Sequence, residues 1–306
     1  DQGMDYYLNI AENSCVDGGT FHPLVIDNVS NESNYYSVYA EIQDGTRYNM
    51  TDKITGGKIG AMLDLRGRTI DASVKGGYPQ DGIIQGYIDD MDTFAQTLIT
   101  ETNNLYARSA QPQLATPSLS NLSDNASLKT SFSNLQDGTF SVIVYNAQGK
   151  EIGRKEITVN AITTMNSGTD SIVSQINAST DDNKDNNSLN DVDDYFSASY
   201  SYSDESNGGI LSLIPKNSSL GYSIAIQDNG TNFPGIVGLS QFFTGTDAAS
   251  IDIKSDFKKD PMLMQGYSAP VSGNNEVANS MVQMQYEKLN FYRKNGVTAN
   301  ETIEGF

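Results

Sequence analysis

Apolar residues recur at alternating spacings of four and three along one stretch, DGIIQGYIDDMDTFAQTLITETNNLYAR, at positions 81–108. Ile84, Met91, Leu98 and Leu105 form one row and Ile88, Ala95 and Thr102 the other, the arrangement of a heptad seam. Pro79 precedes the stretch, Asp81 can cap its first turn, and Pro112 lies beyond its end. The pattern predicts a helix of roughly 40 Å at 1.5 Å per residue. Periodicity alone also fits a core helix of an ordinary globular domain; a heptad seam asks for a helical partner. That partner is expected at positions 272–292, capped by Asn274 or Asn275. There Ala278, Val282, Leu289 and Tyr292 lie near one stripe, with Val277, Met281, Met284 and Phe291 beside it. Lys288, Arg293 and Lys294 suit the negative end of such a helix.

Elsewhere the period is two. Short strands are expected at 7–10, 24–26, 36–42 and 48–50, with turns at Asp17-Gly18-Gly19 and Asp44-Gly45. In ITGGKIGAMLDLRGR, Gly56 and Gly57 give a flexible entry to a short helix whose apolar side is Ile59, Met62, Leu63 and Leu65. Positions 110–128 have little periodicity and suggest a linker or irregular crossover. A hairpin follows, TFSVIVY and GRKEITV about NAQGKE, with Phe140, Val142 and Val144 on one face and Ile157 and Val159 on the returning strand. Positions 169–178 predict a short amphipathic helix, capped by Thr169 and burying Ile172, Val173 and Ile176. YFSASYSYS, the Asn207-Gly208-Gly209 turn, ILSLI and YSIAI complete a β-rich body. The expected fold class is therefore α+β, segmented and elongated. A helical rod module of 56–110 pairs with 262–306, while β-rich outer domains comprise 1–55 and an insert at 111–261.

Composition narrows the function. The net charge of −19 repels phosphate backbones and anionic bilayers, so neither nucleic acid nor membrane is an expected partner. Seventeen Tyr, 27 Gly and no Trp favour strands and turns. Cys15 is the single cysteine, which rules out an intrachain disulfide. No apolar run reaches the length of a membrane span, and DQGMDYYLNIAENS lacks the basic and apolar regions of a signal peptide. It begins inside a strand-like stretch, so a fragment is expected.

The chemistry-bearing patterns are weak. In DDNKDNNSLNDVDD, Asp181, Asn183 and Asp185 match the first oxygen ligands of a calcium loop. Asn186 replaces the Gly at position six and Val192 the Glu at position twelve, which predicts a solvated, mobile loop without tight divalent binding. His22 has no nucleophile motif beside it, and Cys15 has no basic neighbour in sequence. GGKIG lacks the Lys-Ser/Thr ending of a phosphate loop, and acids are too numerous to mark a glycosidase pair. No catalytic residue, metal ligand or cofactor site is expected.

Two stretches are more specific. ITGGKIGAMLDLRGR, followed by a long helix ending in TETNNLYARSA, resembles a segment of the flagellar hook-associated protein 1 family, the first hook–filament junction proteins. The positions carrying this are Gly56, Gly57, Ile59, Gly60, Met62, Leu63, Leu65 and Arg66, with Asn103 or Asn104 as the helix-terminal Asn. GIVGLSQFFTGTDAASIDI is similar to another element of that family, through Gly238, Leu239, Phe242, Phe243, Gly245, Ala248, Ala249, Ser250 and Ile251. SGNNEVANSMVQMQ is similar to the start of its C-terminal helix, with Asn274 where Asp is usual, and FHPLVID resembles a Gly-x-Pro-Leu-Val element. The family's terminal axial helices have no counterpart in these 306 residues, and positions 111–235 match loosely.

The resemblance implies a non-enzymatic subunit of the adaptor ring joining hook to filament, exported without a cleaved signal peptide and located outside the cell. Its implied partners are like subunits in the ring, hook protein, the next junction protein toward the filament, and an export chaperone. Alternatives are another flagellar hook or junction protein, or a secreted β-rich carbohydrate-binding or hydrolytic protein.

Overall fold

Strand periodicity near the N-terminus becomes an antiparallel meander: β1 (Tyr7–Asn9), β2 (Ser14–Asp17), β3 (Thr20–Asn28), β4 (Tyr36–Glu41) and β5 (Arg47–Asn49), in that order across one sheet. The computed structural model describes residues 7–9, 14–17, 20–30, 33–42 and 44–306. Ile10 and the Gly18-Gly19 turn lie outside the described residues, as do the side chains of Cys15 and His22, whose backbones pair across β2 and β3. The turn at Asp44-Gly45 forms where the sequence puts it. Asp44 Oδ1 accepts the Thr46 amide at 2.8 Å and Gly45 takes φ +84°.

The chain divides into two compact units, 1–90 and 91–306. In the first, α1 (Gly57–Arg66) starts after Gly56, and Gly60 lies so close to the preceding turn that a Cβ would fall 2.8 Å from the Thr55 carbonyl carbon. Arg66 donates to Tyr36 O at 2.8 Å, and Arg68 donates to Ile54 O at 2.9 Å. Leu63 is buried, but Ile59, Met62 and Leu65 are exposed, contrary to expectation. Gly60 and Leu63 make the inward side, and the apolar stripe at spacing three is left facing solvent. β6 (Ile70–Asp71) and β7 (Tyr78–Pro79) form a two-residue ladder before α2 (Ile83–Tyr106). Asp81, expected as the helix cap, gives Oδ1 to the Thr69 amide at 2.6 Å instead.

The second unit holds the largest core. β8 (Leu114–Ala115), β9 (Leu119–Ser120), α3 (Leu128–Ser131), β10 (Gly138–Tyr145), β11 (Glu151–Val159), α4 (Ile172–Asn177), α5 (Val192–Tyr195), β12 (Phe196–Ser203), β13 (Gly208–Pro215) and β14 (Ser223–Asp228) follow in order. One sheet runs β11-β10-β14; the other runs β12-β13-β8, with β9 also on β13. The predicted hairpin is in register Phe140↔Ile157, and Phe140, Val142, Val144, Ile157 and Val159 are fully buried. They share one core with Phe196 and Leu211 of the other sheet. The stretch 110–128 is no linker. Its Leu114, Leu119, Leu122 and Leu128 are buried, because two-residue strands suffice to complete the edge of β13. α4 buries Ile172 and Ile176 as predicted, but its cap is Ser171, whose Oγ accepts the Ser174 amide at 3.2 Å, and not Thr169.

The C-terminal part departs most. After α6 (Phe233–Val237), β15 (Phe243–Thr244), β16 (Asp252–Ile253) and α7 (Ser255–Lys259), α8 covers only Glu276–Gln283. The expected helix at 272–292 breaks there, and β17 (Leu289–Tyr292) pairs with β18 (Thr298–Glu301) around Gly296 at φ +82°. The reason is local: LNFY alternates, and Asn295-Gly296 is a hairpin turn signal. The architecture is α+β.

Candidate functional site

The family-like positions 238–251 converge on the second half of α2, and one buried amide organises the meeting. Asn103 Oδ1 accepts the backbone amides of Phe242 at 2.8 Å and Phe243 at 3.0 Å, while its Nδ2 donates to Phe243 O at 3.0 Å. Asn104 Oδ1 accepts the Gly235 amide at 2.7 Å. A Cβ on Gly235 would sit 2.1 Å from Thr100 O, so only glycine lets α6 approach α2 this closely. Gly238 ends α6 in the left-handed region at φ +65°, and Leu239 beyond it is buried. Gly245 turns at φ +92° against Ser250 O, and the Ile251 amide donates to Asp247 O at 3.0 Å. Asp92 Oδ1 takes the Ala248 amide at 3.1 Å. Phe242 packs edge-on against Tyr106, with ring centroids 5.6 Å apart, in a cluster with Phe257 and Val277. α8 meets α2 around Tyr106 through Val277 and Met281.

These contacts join side-chain amides and the Asp92 carboxylate to backbone, and ring to ring, and they fix the geometry of the clasp. Gly56, Gly57, Gly60, Leu63 and Arg66, the other family-like positions, lie together around α1 in the first unit.

The seam itself divides in two. Ala95 and Thr102 are buried, and Leu98 and Leu105 pack with Phe94 on Met284, Leu289 and Phe291. A β-hairpin therefore covers this half, where a helix was expected. Toward the start, Ile84, Ile88 and Met91 are 51%, 45% and 62% exposed, beside the equally exposed Ile83 and Tyr87. Burial pushes the Glu101 carboxyl above the usual range; Asn104 opposes this with a hydrogen bond, and Asp228 and Glu287 add to the rise.

Lys155 was not foreseen. It is buried at an inward position of β11, in phase with Ile157 and Val159. Its ammonium donates to Asp193 Oδ1 at 2.9 Å, Ala178 O at 2.5 Å and Ile176 O at 3.3 Å, and lies 3.3 Å from Asp182 Oδ2. Period-two reading of GRKEITV already puts Lys155 on the core face, and the acidic stretch supplies the counter-charge. The loop expected to be wholly solvated is thus tied down through Asp182 and Asp193, and the Asp191 side chain is buried with it.

No protein-family model matches the chain, and no curated protein sequence matches it.

Proposed function

We propose that the chain is a structural subunit of the bacterial flagellum, of the kind that joins hook to filament, and that it assembles through the first half of α2. One observation carries this: Ile84, Ile88 and Met91 keep heptad spacing yet stand exposed, while the continuation of the same seam is covered. Apolar residues at that spacing are complementary to another helix. The resemblance of positions 56–66 and 238–251 to the hook-associated protein 1 family supports the assignment, and the acidic, cysteine-poor composition suits export in an unfolded state. In this reading, 56–110 with 262–306 serves the rod, and 1–55 and 111–261 face outward. Like subunits, hook protein, the next junction protein and an export chaperone are its partners outside and on the way out of the cell.

The test replaces the junction protein of a flagellated bacterium with full-length protein carrying Ile84→Asp, Ile88→Asp and Met91→Asp. The proposal expects bare hooks, filament subunits lost to the medium, and a purified chain that still unfolds cooperatively with its Tm lowered by only a few degrees. Filaments of normal number and length would overturn it.

A further inference from the structure

Lys155 stands between two carboxylates inside the β-body. Its Nζ lies 2.9 Å from Asp193 Oδ1 and 3.3 Å from Asp182 Oδ2, and all three side chains are buried. Val142, opposite Lys155 on β10, and Ile176, whose carbonyl it contacts, are buried as well. One ammonium facing two acids leaves a negative charge over, and taking unmatched charge out of water is costly. A pair built only to hold the fold needs a single acid.

The second acid is also unsatisfied. Asp182 Oδ1 accepts the Thr180 hydroxyl at 2.6 Å, but Oδ2, the oxygen beside Lys155, is buried and receives no hydrogen bond. The backbone nevertheless holds both acids in place. Asp191 Oδ1 takes the Asp182 amide at 2.8 Å. Asp194 Oδ2 takes the Asp191 amide at 3.1 Å at the start of α5, whose second residue is Asp193. An amine, a carboxyl carbon and a free carboxylate oxygen are therefore fixed together in a dry site.

We propose that Lys155 and Asp193 condense to an amide, an isopeptide bond between β11 and α5, with Asp182 moving the protons. A carboxylate held this close to the nitrogen puts its Cγ in a near-attack position, for which effective concentrations of about 10⁵ M or more are known. Asp182 takes one proton from the ammonium, and the freed lone pair on Nζ attacks Asp193 Cγ. The N–C bond forms. Asp182 then passes that proton, and a second one from the nitrogen, to a carboxylate oxygen of Asp193. The C–O bond breaks, one water leaves, and Asp182 ends as the carboxylate it began. Nothing is oxidised or reduced, and no co-reactant is needed. A neutral amide replaces a buried ion pair, which removes the cost of keeping two ions out of water. Ala178 O, 2.5 Å from the nitrogen, remains to accept the amide N–H. The bond joins residues 38 apart in sequence and staples the acidic stretch to the sheet, in a chain whose single cysteine can form no internal disulfide.

Mass spectrometry of the intact, folded chain tests this. The parent should weigh one water less than its sequence, and a protease digest should contain a branched peptide joining the segments of Lys155 and Asp193. Asp182→Asn keeps an acceptor for Thr180 but takes up no proton, so it should show the full sequence mass with an unchanged far-UV spectrum. Asp193→Ala, which lacks the carboxyl carbon, should show the full mass as well. A parent at full mass would overturn the proposal whatever the variants do. Water lost without a branch, as in a succinimide at an Asp-Gly pair, would overturn it too. A branched peptide that persists in Asp182→Asn would overturn the part given to Asp182. Should a variant fail to fold, the mass and digest of the parent still decide.

Discussion

The two halves of α2 carry one heptad pattern and meet opposite fates. From Ala95 onward the seam is covered by the β17–β18 hairpin and the clasp at 238–251; before it, Ile84, Ile88 and Met91 are left to solvent. Periodicity specifies that a face is apolar, not what will lie on it. The cover in the second half is a strand pair, because Leu289 and Phe291 present two apolar side chains on one side as readily as a helix turn does. Phe94, Phe291 and Phe306 meet in a three-ring cluster, with centroids 6.2 Å, 6.3 Å and 4.2 Å apart, so rings from three segments fill the layer.

The largest expected effect comes from Leu98→Asp in the covered half. It sets a carboxylate at a half-buried position against the apolar cluster of Met284, Leu289 and Phe291. Removing this packing and desolvating a charge in its place is expected to cost about 2 kcal/mol or more. Urea unfolding measures this as a lowered midpoint. A midpoint equal to that of the parent would mean that the hairpin does not close over the helix in solution.

Glu101 gives a smaller, pH-dependent effect in the same half. Burial raises its carboxyl above the value it has in the unfolded chain, with Asp228 and Glu287 contributing and Asn104 opposing. A raised carboxyl stabilises the fold fully below its unfolded pKa, and that contribution is lost as pH rises through the folded value. The native chain therefore carries a penalty at neutral pH that Glu101→Gln removes while keeping an acceptor for Asn104. The variant should melt higher than the parent at pH 7, and the two should converge near about pH 3, where Glu is protonated in both states. A constant difference across that range would show that the substitution acts through packing.

Much of this was legible in the residues, and the misses have physical causes. The 139–159 hairpin was readable because turn and alternation agree: NAQGKE interrupts two period-two runs. Lys155 was equally readable, being in phase with Ile157 and Val159, but a charge on a core face stands out only when the acidic stretch that neutralises it is considered with it. The C-terminal hairpin was hidden because Leu289 and Tyr292 are spaced three apart and so also fit a helix. Asn295-Gly296 was the signal that decided against it. The clasp on α2 could not be read at all. Asn103 and Phe242 are far apart in sequence, and hydrogen-bond partners of that kind follow from tertiary structure alone.

The smallest effect is the one on which the comparison turns. Ile88→Asp makes nearly the same chemical change as Leu98→Asp, on the same helix and seam, but at a site 45% exposed. Two local terms remain: the poorer helix propensity of Asp, worth a few tenths of a kcal/mol, and repulsion from Asp92 four residues on, of similar size. Asp92 is already paired with Lys294 at 3.3 Å and with the Ala248 amide, which softens that repulsion. The loss of stability should therefore stay within about 0.5 kcal/mol in the dilute chain, read as a nearly unchanged urea midpoint beside the large shift of Leu98→Asp. If Ile88→Asp instead costs as much as Leu98→Asp, this face is covered in solution by something the single chain lacks. Sedimentation of the parent across concentration would then show a self-associating species that the variant does not form.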